Sequence, residues 1–230
     1  MAFVMPAKKI TVWMIGDSTM SVKRANAYPE TGWGMAFGSF FNNDVTIENK
    51  AQNGRSTLSF INEKRWDSVM AGLQPGDYVF IEFGHNDEKL DKPGVGTTIE
   101  QYKQNLCLFV NDARSKKALP VLLTPIMRRS FKDGVFKDTH GAYPDAVRKV
   151  ADSLHVPLID MHVKTRTLLE TLGEDSSKIL FNHVQAGHPN YPQGKKDDTH
   201  LSPEGAIRMA ALAAQGVQQL NIGLAAYLKH

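Results

Sequence analysis

The apolar positions of the chain fall into short dense runs separated by stretches of helical spacing. Ile10-Thr11-Val12-Trp13-Met14-Ile15 is a run of strand formers, so Lys9–Ile15 is predicted as the first strand and Gly16–Met20 as the turn leaving it. Val45–Asn49, Tyr78–Phe83, Leu119–Thr124 and Val156–Met161 read as four further strands. The third strand is apolar at nearly every position, the pattern of a strand covered on both faces. Between the strands the spacing becomes helical. A first helix is predicted from near Gly32, carrying Trp33, Met35, Ala36, Phe37, Phe40 and Phe41, and Thr57–Met70 is broadly helical. Thr98, with Gln101 three residues later, has the form of a capping box. It opens a helix whose apolar face is Ile99, Tyr102, Leu106, Phe109, Val110 and Ala113. Asp145–Leu154, Lys164–Leu172 and Ser176–Phe181 are also predicted helical. Ser202 followed by Pro203 marks the start of a last helix, with Ala206, Ile207, Ala210, Ala214 and Val217 as its small-residue face. Polar Ser21–Glu30 reads as a surface loop, and Asp133-Gly134 as the turn of a small hairpin.

Strands alternating with helices predict an α/β fold with a five-stranded parallel sheet and right-handed crossovers. The expected strand order is 2-1-3-4-5, a common doubly wound arrangement that gathers the loops after strands one, two and three above one point. No internal repeat, low-complexity tract or linker interrupts the pattern, so residues 1–230 are expected to form a single domain.

Composition narrows the picture only mildly. The formal net charge is +3, and the basic residues occur as short pairs rather than a tract, so no nucleic-acid partner is expected. No apolar run is long enough to span a membrane, and no membrane partner is expected. The first six residues are too short for a signal peptide ahead of the first strand. That suits either a cytoplasmic protein or a secreted or periplasmic one whose leader has been removed. Cys107 is the single cysteine, excluding an internal disulfide, and its helical position suggests a small buried side chain. Oligomeric state is not legible.

The candidate chemistry lies in four segments: Gly16-Asp17-Ser18, Asn53-Gly54, Gly84-His85-Asn86-Asp87 and Asp197-Asp198-Thr199-His200. Together they form a set for acyl transfer. A serine hydroxyl is a weak nucleophile until a base takes its proton, and His200 can be that base for Ser18. The far nitrogen of the ring needs a partner to hold tautomer and orientation, and Asp197 can supply it. The oxyanion needs donors aimed at it, which the backbone N–H groups of Ser18 and Gly54 and the Asn86 amide can provide. Asp17 and Asp87 are expected to hold their loops by side-chain-to-backbone bonds, and Asp198 competes with Asp197 for the place beside His200.

These segments resemble the four blocks of the SGNH (GDSL-type) hydrolases and occur in that family's order. The family's Asp-x-x-His spacing implies Asp197 rather than Asp198 as the partner of His200, which leaves Asp198 as a solvated or capping carboxylate. The resemblance implies a flavodoxin-like, three-layer α/β/α fold and esterase chemistry with no metal and no cofactor. Gly16-Asp17-Ser18-Thr19, Thr31-Gly32-Trp33-Gly34, Asn53-Gly54-Arg55-Ser56-Thr57, Arg65-Trp66-Asp67, Glu82-Phe83-Gly84-His85-Asn86-Asp87 and Asp198-Thr199-His200 are similar to the rhamnogalacturonan acetylesterase group. That similarity implies an acetylated polysaccharide or oligosaccharide as substrate. Arg55, Arg128 and Arg129 follow strand ends on the edge that carries Ser18, and Lys195 and Lys196 flank Asp197, so a basic rim for uronic acids is one reading and scattered solvated cations the other. Arg55, Arg128 and His85 are the expected substrate contacts, although His85 faces either pocket or core.

Competing readings are an acetylxylan esterase, a lipase or thioesterase of the same family, and a flavin-binding module with phosphate cradled by Ser18-Thr19. An elbow-type hydrolase with Ser56 as nucleophile lacks the second glycine of Gly-x-Ser-x-Gly. Asp160 and His162, two apart on a strand, are poorly placed to form an acid–base pair. His183 and His188 near Asp197 and His200 form no compact metal motif, and Trp33 is expected in the core rather than as a sugar platform.

Overall fold

The computed structural model describes residues 9–229; the segment Met1–Pro6, read as too short for a signal peptide, lies outside them. Strands β1 (Ile10–Gly16), β2 (Val45–Asn49), β3 (Tyr78–Glu82), β4 (Leu119–Leu123) and β7 (Leu158–Ile159) form a parallel sheet in the order β2-β1-β3-β4-β7. This is the predicted order. Helices α1 (Trp33–Phe37), α6 (Met161–Ser176) and α7 (Pro203–Leu220) cover one face, and α2 (Thr57–Asn62), α3 (Arg65–Gly72), α4 (Ile99–Ser115) and α5 (Tyr143–Ser153) the other. A separate two-stranded hairpin, β5 (Phe131–Lys132) with β6 (Val135–Phe136), sits where Asp133-Gly134 predicted a turn. Among the described residues no helix is long and apolar enough to cross a membrane.

The period-two alternation of a strand divides the core into two halves. Val12 and Met14 of β1, Phe80 of β3, Val121 and Leu123 of β4, and Ile159 of β7 pack with α1, α6 and α7. Ile15, Val79, Ile81 and Leu122 pack with α3, α4 and α5. β3 is buried along its whole length because it lies between β1 and β4 with helices on both sides. Its register sets Gly16 opposite Glu82, so the first and third strands end level and deliver their turns to one edge.

Several boundaries differ from the sequence reading for local reasons. The last strand shrinks to two residues: Pro157 has no N–H to give a ladder, and Asp160 already caps α6 by accepting from Val163 N at 3.2 Å. The helix predicted over 57–70 is two helices, broken at Lys64, whose φ of 54° is left-handed. Helix α6 begins earlier than predicted and runs past Leu172, with Gly173 at φ 73° as the kink. The box at Thr98 is half made, with its hydroxyl accepting from Gln101 N at 3.2 Å. Cys107 is half-buried, and burial raises its thiol pKa. Ile207 is half exposed, and the buried face of α7 is instead Ala206, Met209, Ala210, Ala213, Ala214 and Val217.

Helix α7 is seated by its first turn. Ser202 caps it through Gly205 N at 3.1 Å and binds the carbonyls of Ile179 and Leu180. A Cβ on Gly205 would lie 1.8 Å from the Leu180 carbonyl oxygen. Helix propensity favours alanine over glycine by about 1 kcal/mol. A clash with backbone of this kind costs more, roughly 1–3 kcal/mol even after relaxation. Gly205→Ala is therefore expected to lower the urea unfolding free energy; an equal or higher midpoint would contradict this seating.

Candidate active site

The four segments meet at the carboxyl edge of the sheet. Ser18 sits in the turn after β1, 8% exposed, held from behind by its neighbours. Asp17 Oδ1 accepts from Thr19 N and Thr19 Oγ1, both at 2.9 Å, and Asp17 carbonyl accepts from Ser21 N at 3.1 Å. The turn is thus closed by the loop-holding role expected of Asp17. The loop before α7 brings His200 across, with Nε2 2.9 Å from Ser18 Oγ. Nδ1 of the same ring lies 2.8 Å from Asp197 Oδ2, while Asp197 Oδ1 accepts from the backbone N–H of Thr199 and His200 at 3.0 and 2.9 Å. Burial works to raise the Asp197 carboxyl, but the His200 ring, backbone and charge, together with Lys195, outweigh it and hold the group well below the usual carboxylate range. Asp197 therefore stays ionised and fixes the His200 tautomer that leaves Nε2 free to accept from Ser18.

Gly54 and Asn86 stand on the adjoining turns. Gly54 has a φ of 76°, and a Cβ there would meet nothing within 4 Å, so its backbone faces open space. Asn86 Nδ2 donates to Arg55 carbonyl at 3.0 Å, which sets the amide beside the Gly54 turn. Its Oδ1 accepts from Lys89 Nζ at 2.6 Å. An ammonium group can only donate, so Lys89 fixes which end of the amide points where and leaves one N–H of Asn86 unspent. Among the described residues the backbone N–H groups of Ser18 and Gly54 find no acceptor. Three donors of the kind an oxyanion needs therefore occupy neighbouring turns.

Three expected substrate contacts are otherwise engaged. Both ring nitrogens of His85 are buried and unpartnered, and the ring packs edge-on against His140 at 4.6 Å. Burial first, and then its neighbours His140, Arg128 and His200, hold its pKa well below the ordinary imidazole value. His85 is thus a neutral ring buried in the floor. Arg55 bonds Glu63 at 3.0 Å and Asn53 carbonyl at 2.8 Å, bracing the Gly54 turn. Arg128 pairs with Glu88 at 2.5 Å and bonds His85 carbonyl, bracing the Asn86 turn. Arg129 is not on the rim either: it is buried and reaches Asp198 Oδ1 at 2.7 Å and Ser177 Oγ at 3.2 Å. Asp198, read as solvated or capping, pairs with both Arg129 and His183.

The remaining candidates are placed elsewhere. Ser56 caps α2 in a reciprocal box with Ser59. Trp33 is buried and donates to Glu82 Oε2 at 2.7 Å. Asp160 caps α6, while His162 Nε2 lies 2.8 Å from Asp138. Glu30, Asp197 and His200 bring possible ligand atoms within 4.8 Å of one another. The ammonium groups of Lys23 and Lys195 already sit on both carboxylates, so this set does not suit a metal ion.

The sequence reading missed Lys23, Glu30, Glu82 and Lys89. Lys23 and Glu30 fall in the stretch read as a surface loop, yet both side chains are buried. Burial raises the Glu82 carboxyl to about 8, with the Asp17 charge adding to it, and raises Asp87 to about 7 against the hydrogen bonds from Thr57 and Thr97. An acid whose folded pKa exceeds its unfolded value binds more protons when folded, so its contribution to stability is full at low pH and is lost as pH rises through the folded pKa. Asp87→Asn should therefore lose less unfolding free energy than the native chain between about pH 6 and 8, by about 1 kcal/mol. Parallel pH dependence of the two proteins in urea titrations would contradict the buried-acid assignment.

Comparison with known proteins agrees with this geometry. The chain is 41% identical to rhamnogalacturonan acetylesterase RhgT of Bacillus subtilis, over 97% of its own length and 96% of that protein's. It is 28% identical to a rhamnogalacturonan acetylesterase of Emericella nidulans, over 87% and 81% of the two chains. Its fold is similar to the crystal structure of YxiM from Bacillus subtilis, at a TM-score of 0.79 and 22% identity, over 95% of this chain and 58% of that one. It is also similar to an acetylxylan esterase from Geobacillus stearothermophilus, at a TM-score of 0.63 and 16% identity, over 94% and 96%. Residues 14–206 match the family described as GDSL-like lipase/acylhydrolase. The chain belongs to that family of ester hydrolases.

Proposed function

We propose that Ser18 is the nucleophile of a serine esterase that removes O-acetyl groups from rhamnogalacturonan. The observation that carries the mechanism is the unbroken hydrogen-bonded line Ser18 Oγ–His200 Nε2–Asp197, at 2.9 and 2.8 Å. Ser18 Oγ attacks the acetyl carbonyl carbon as its proton passes to His200 Nε2. Asp197 stabilises the imidazolium that forms. The oxyanion rests on the N–H groups of Ser18 and Gly54 and the free N–H of Asn86, with Lys89 holding that amide in place. His200 then returns its proton to the sugar oxygen, which leaves as the alcohol. Water, deprotonated by His200, attacks the acetyl-enzyme; the bond to Ser18 Oγ breaks as His200 returns that proton to Oγ, and acetate leaves.

The sugar is argued from the relative RhgT, whose name states that activity and which covers nearly the whole chain. Arg55 and Arg128 keep partly exposed guanidinium groups beside the site, with side-chain exposures of 30% and 18%. No observation favours a flavin module: the Thr19 hydroxyl is spent on Asp17 and the Ser18 hydroxyl faces His200.

Ser18→Ala or His200→Ala is expected to lower kcat by on the order of 10⁴-fold or more, measured as acetate release. Asn86→Ala should lower it roughly 10²–10³-fold. Acetate release from acetylated rhamnogalacturonan, with Ser18→Ala as blank, should exceed release from acetylated xylan, and acetyl esters should outrun longer acyl chains. Faster xylan turnover would move the assignment to an acetylxylan esterase, and undiminished turnover by Ser18→Ala would end the mechanism.

A further inference from the structure

A line of alternating charges leads to Asp197 and His200, and the acyl-transfer steps use only those last two members. The Lys23 side chain is 2% exposed, yet its ammonium group is fully partnered. It donates to Ser18 carbonyl, to Asn53 Oδ1 at 2.8 Å and to Glu30 Oε1 at 2.9 Å. Glu30, 10% exposed, receives Lys195 Nζ on its other oxygen at 3.3 Å. Lys195 Nζ also lies 3.0 Å from Asp197 Oδ2, the same oxygen that His200 Nδ1 meets at 2.8 Å. The order is Lys23⁺, Glu30⁻, Lys195⁺, Asp197⁻, His200. It joins the turn after β1, the segment before α1 and the loop before α7.

Buried charges of this kind are costly unless paired and hydrogen-bonded throughout. Here every one of them is paired. Burial lowers the Lys23 amine against the pull of Glu30, while Asp197 and Glu30 outweigh burial and raise the Lys195 amine.

We propose that Lys23, Glu30 and Lys195 are positioning residues that set the basicity of His200 and hold its acid and the Gly54 turn in register with Ser18. This rests on His200 being the base. Lys195 shares Asp197 Oδ2 with His200, so it takes up part of the negative charge that would stabilise the imidazolium. Glu30 offsets Lys195 in turn. Lys23 fixes Glu30 and, through Asn53, the residue before Gly54. The other titratable groups that face His200 are Asp17 from the turn after β1 and His85 from the turn after β3. Neither touches Lys195.

Glu30 and Lys195, neighbours in this line, carry opposite signs, which gives the test. Removing a cation near an imidazolium favours the protonated ring, and removing an anion disfavours it. Lys195→Met should move the acid limb of kcat/KM to higher pH, and Glu30→Gln should move it to lower pH, each by about half a unit or more. A neutral aryl acetate serves as substrate, so that no substrate carboxylate contributes. The His200 ring is titrated in parallel by its Cε1–H NMR signal, which needs no turnover. Opposite shifts in both readouts are expected. A merely structural role lowers kcat without moving either midpoint; unmoved midpoints, or shifts of the same sign, would overturn the proposal. If Glu30→Gln does not fold, Lys195→Met decides alone, because its midpoint must still rise. If the acid limb of the native protein does not follow the His200 titration, His200 is not the base and the esterase mechanism falls, while the NMR shifts still judge the charge line.

Discussion

Ser18 and His200 are 182 positions apart in the chain, yet Ser18 Oγ and His200 Nε2 lie 2.9 Å from each other. One hydrogen bond contributes only about 1 kcal/mol net, so it cannot hold two loops together by itself. The closure is made by backbone. Thr31 N donates to Leu201 carbonyl at 3.0 Å, Trp33 N to Thr19 carbonyl at 2.8 Å, and Asn182 N to His200 carbonyl at 2.8 Å. These bonds seat the end of the chain on its beginning, with α7 packed on α1 and the Gly205 contact leaving no slack. The side chains that do the chemistry are therefore preorganised by main chain, and little of their own binding energy is needed for orientation.

A second constraint lies under the site. Asp17, Glu82 and Asp87 are all buried at the ends of β1 and β3. Three ionised carboxylates there would repel the negative charge that develops on an oxyanion. Burial instead raises all three, Glu82 to about 8, which keeps that acid largely protonated at neutral pH. Glu82 accepts from Trp33 Nε1 and from Ile126 N at 3.1 Å, and so ties α1 and the segment after β4 to the central strand. Asp197, by contrast, keeps its negative charge against His200, where it stabilises an imidazolium.

The parts legible in the sequence are those fixed by local pattern. The α/β class followed from alternation of apolar runs and helical spacing, and the strand order from its being a common doubly wound arrangement. Ser18 and His200 were singled out by the chemistry each residue type can do, and Asp197 over Asp198 by the spacing of the family it resembles. What escaped is decided by packing. Lys23 and Glu30 sit in a polar stretch with no periodicity, and their burial comes from the 183–200 loop folding over them. Arg55 and Arg128 look like free cations because their partners, Glu63 and Glu88, are acids on neighbouring turns with no motif to mark them. His85 and Asn86 are adjacent and equally buried, yet the His85 ring nitrogens have no partner while the Asn86 amide bonds Arg55 carbonyl and Lys89. The shortened last strand was in principle readable from Pro157, which cannot donate to a ladder.

The central claim is that Ser18 carries the acyl group. Rapid acid quench of the native enzyme during turnover of an acetyl ester, followed by peptide mass mapping, tests it most directly. The account predicts a single acetyl group on the peptide that contains Ser18, absent in His200→Ala. An acetyl group on another residue, or none while acetate is being released in a burst, would contradict it.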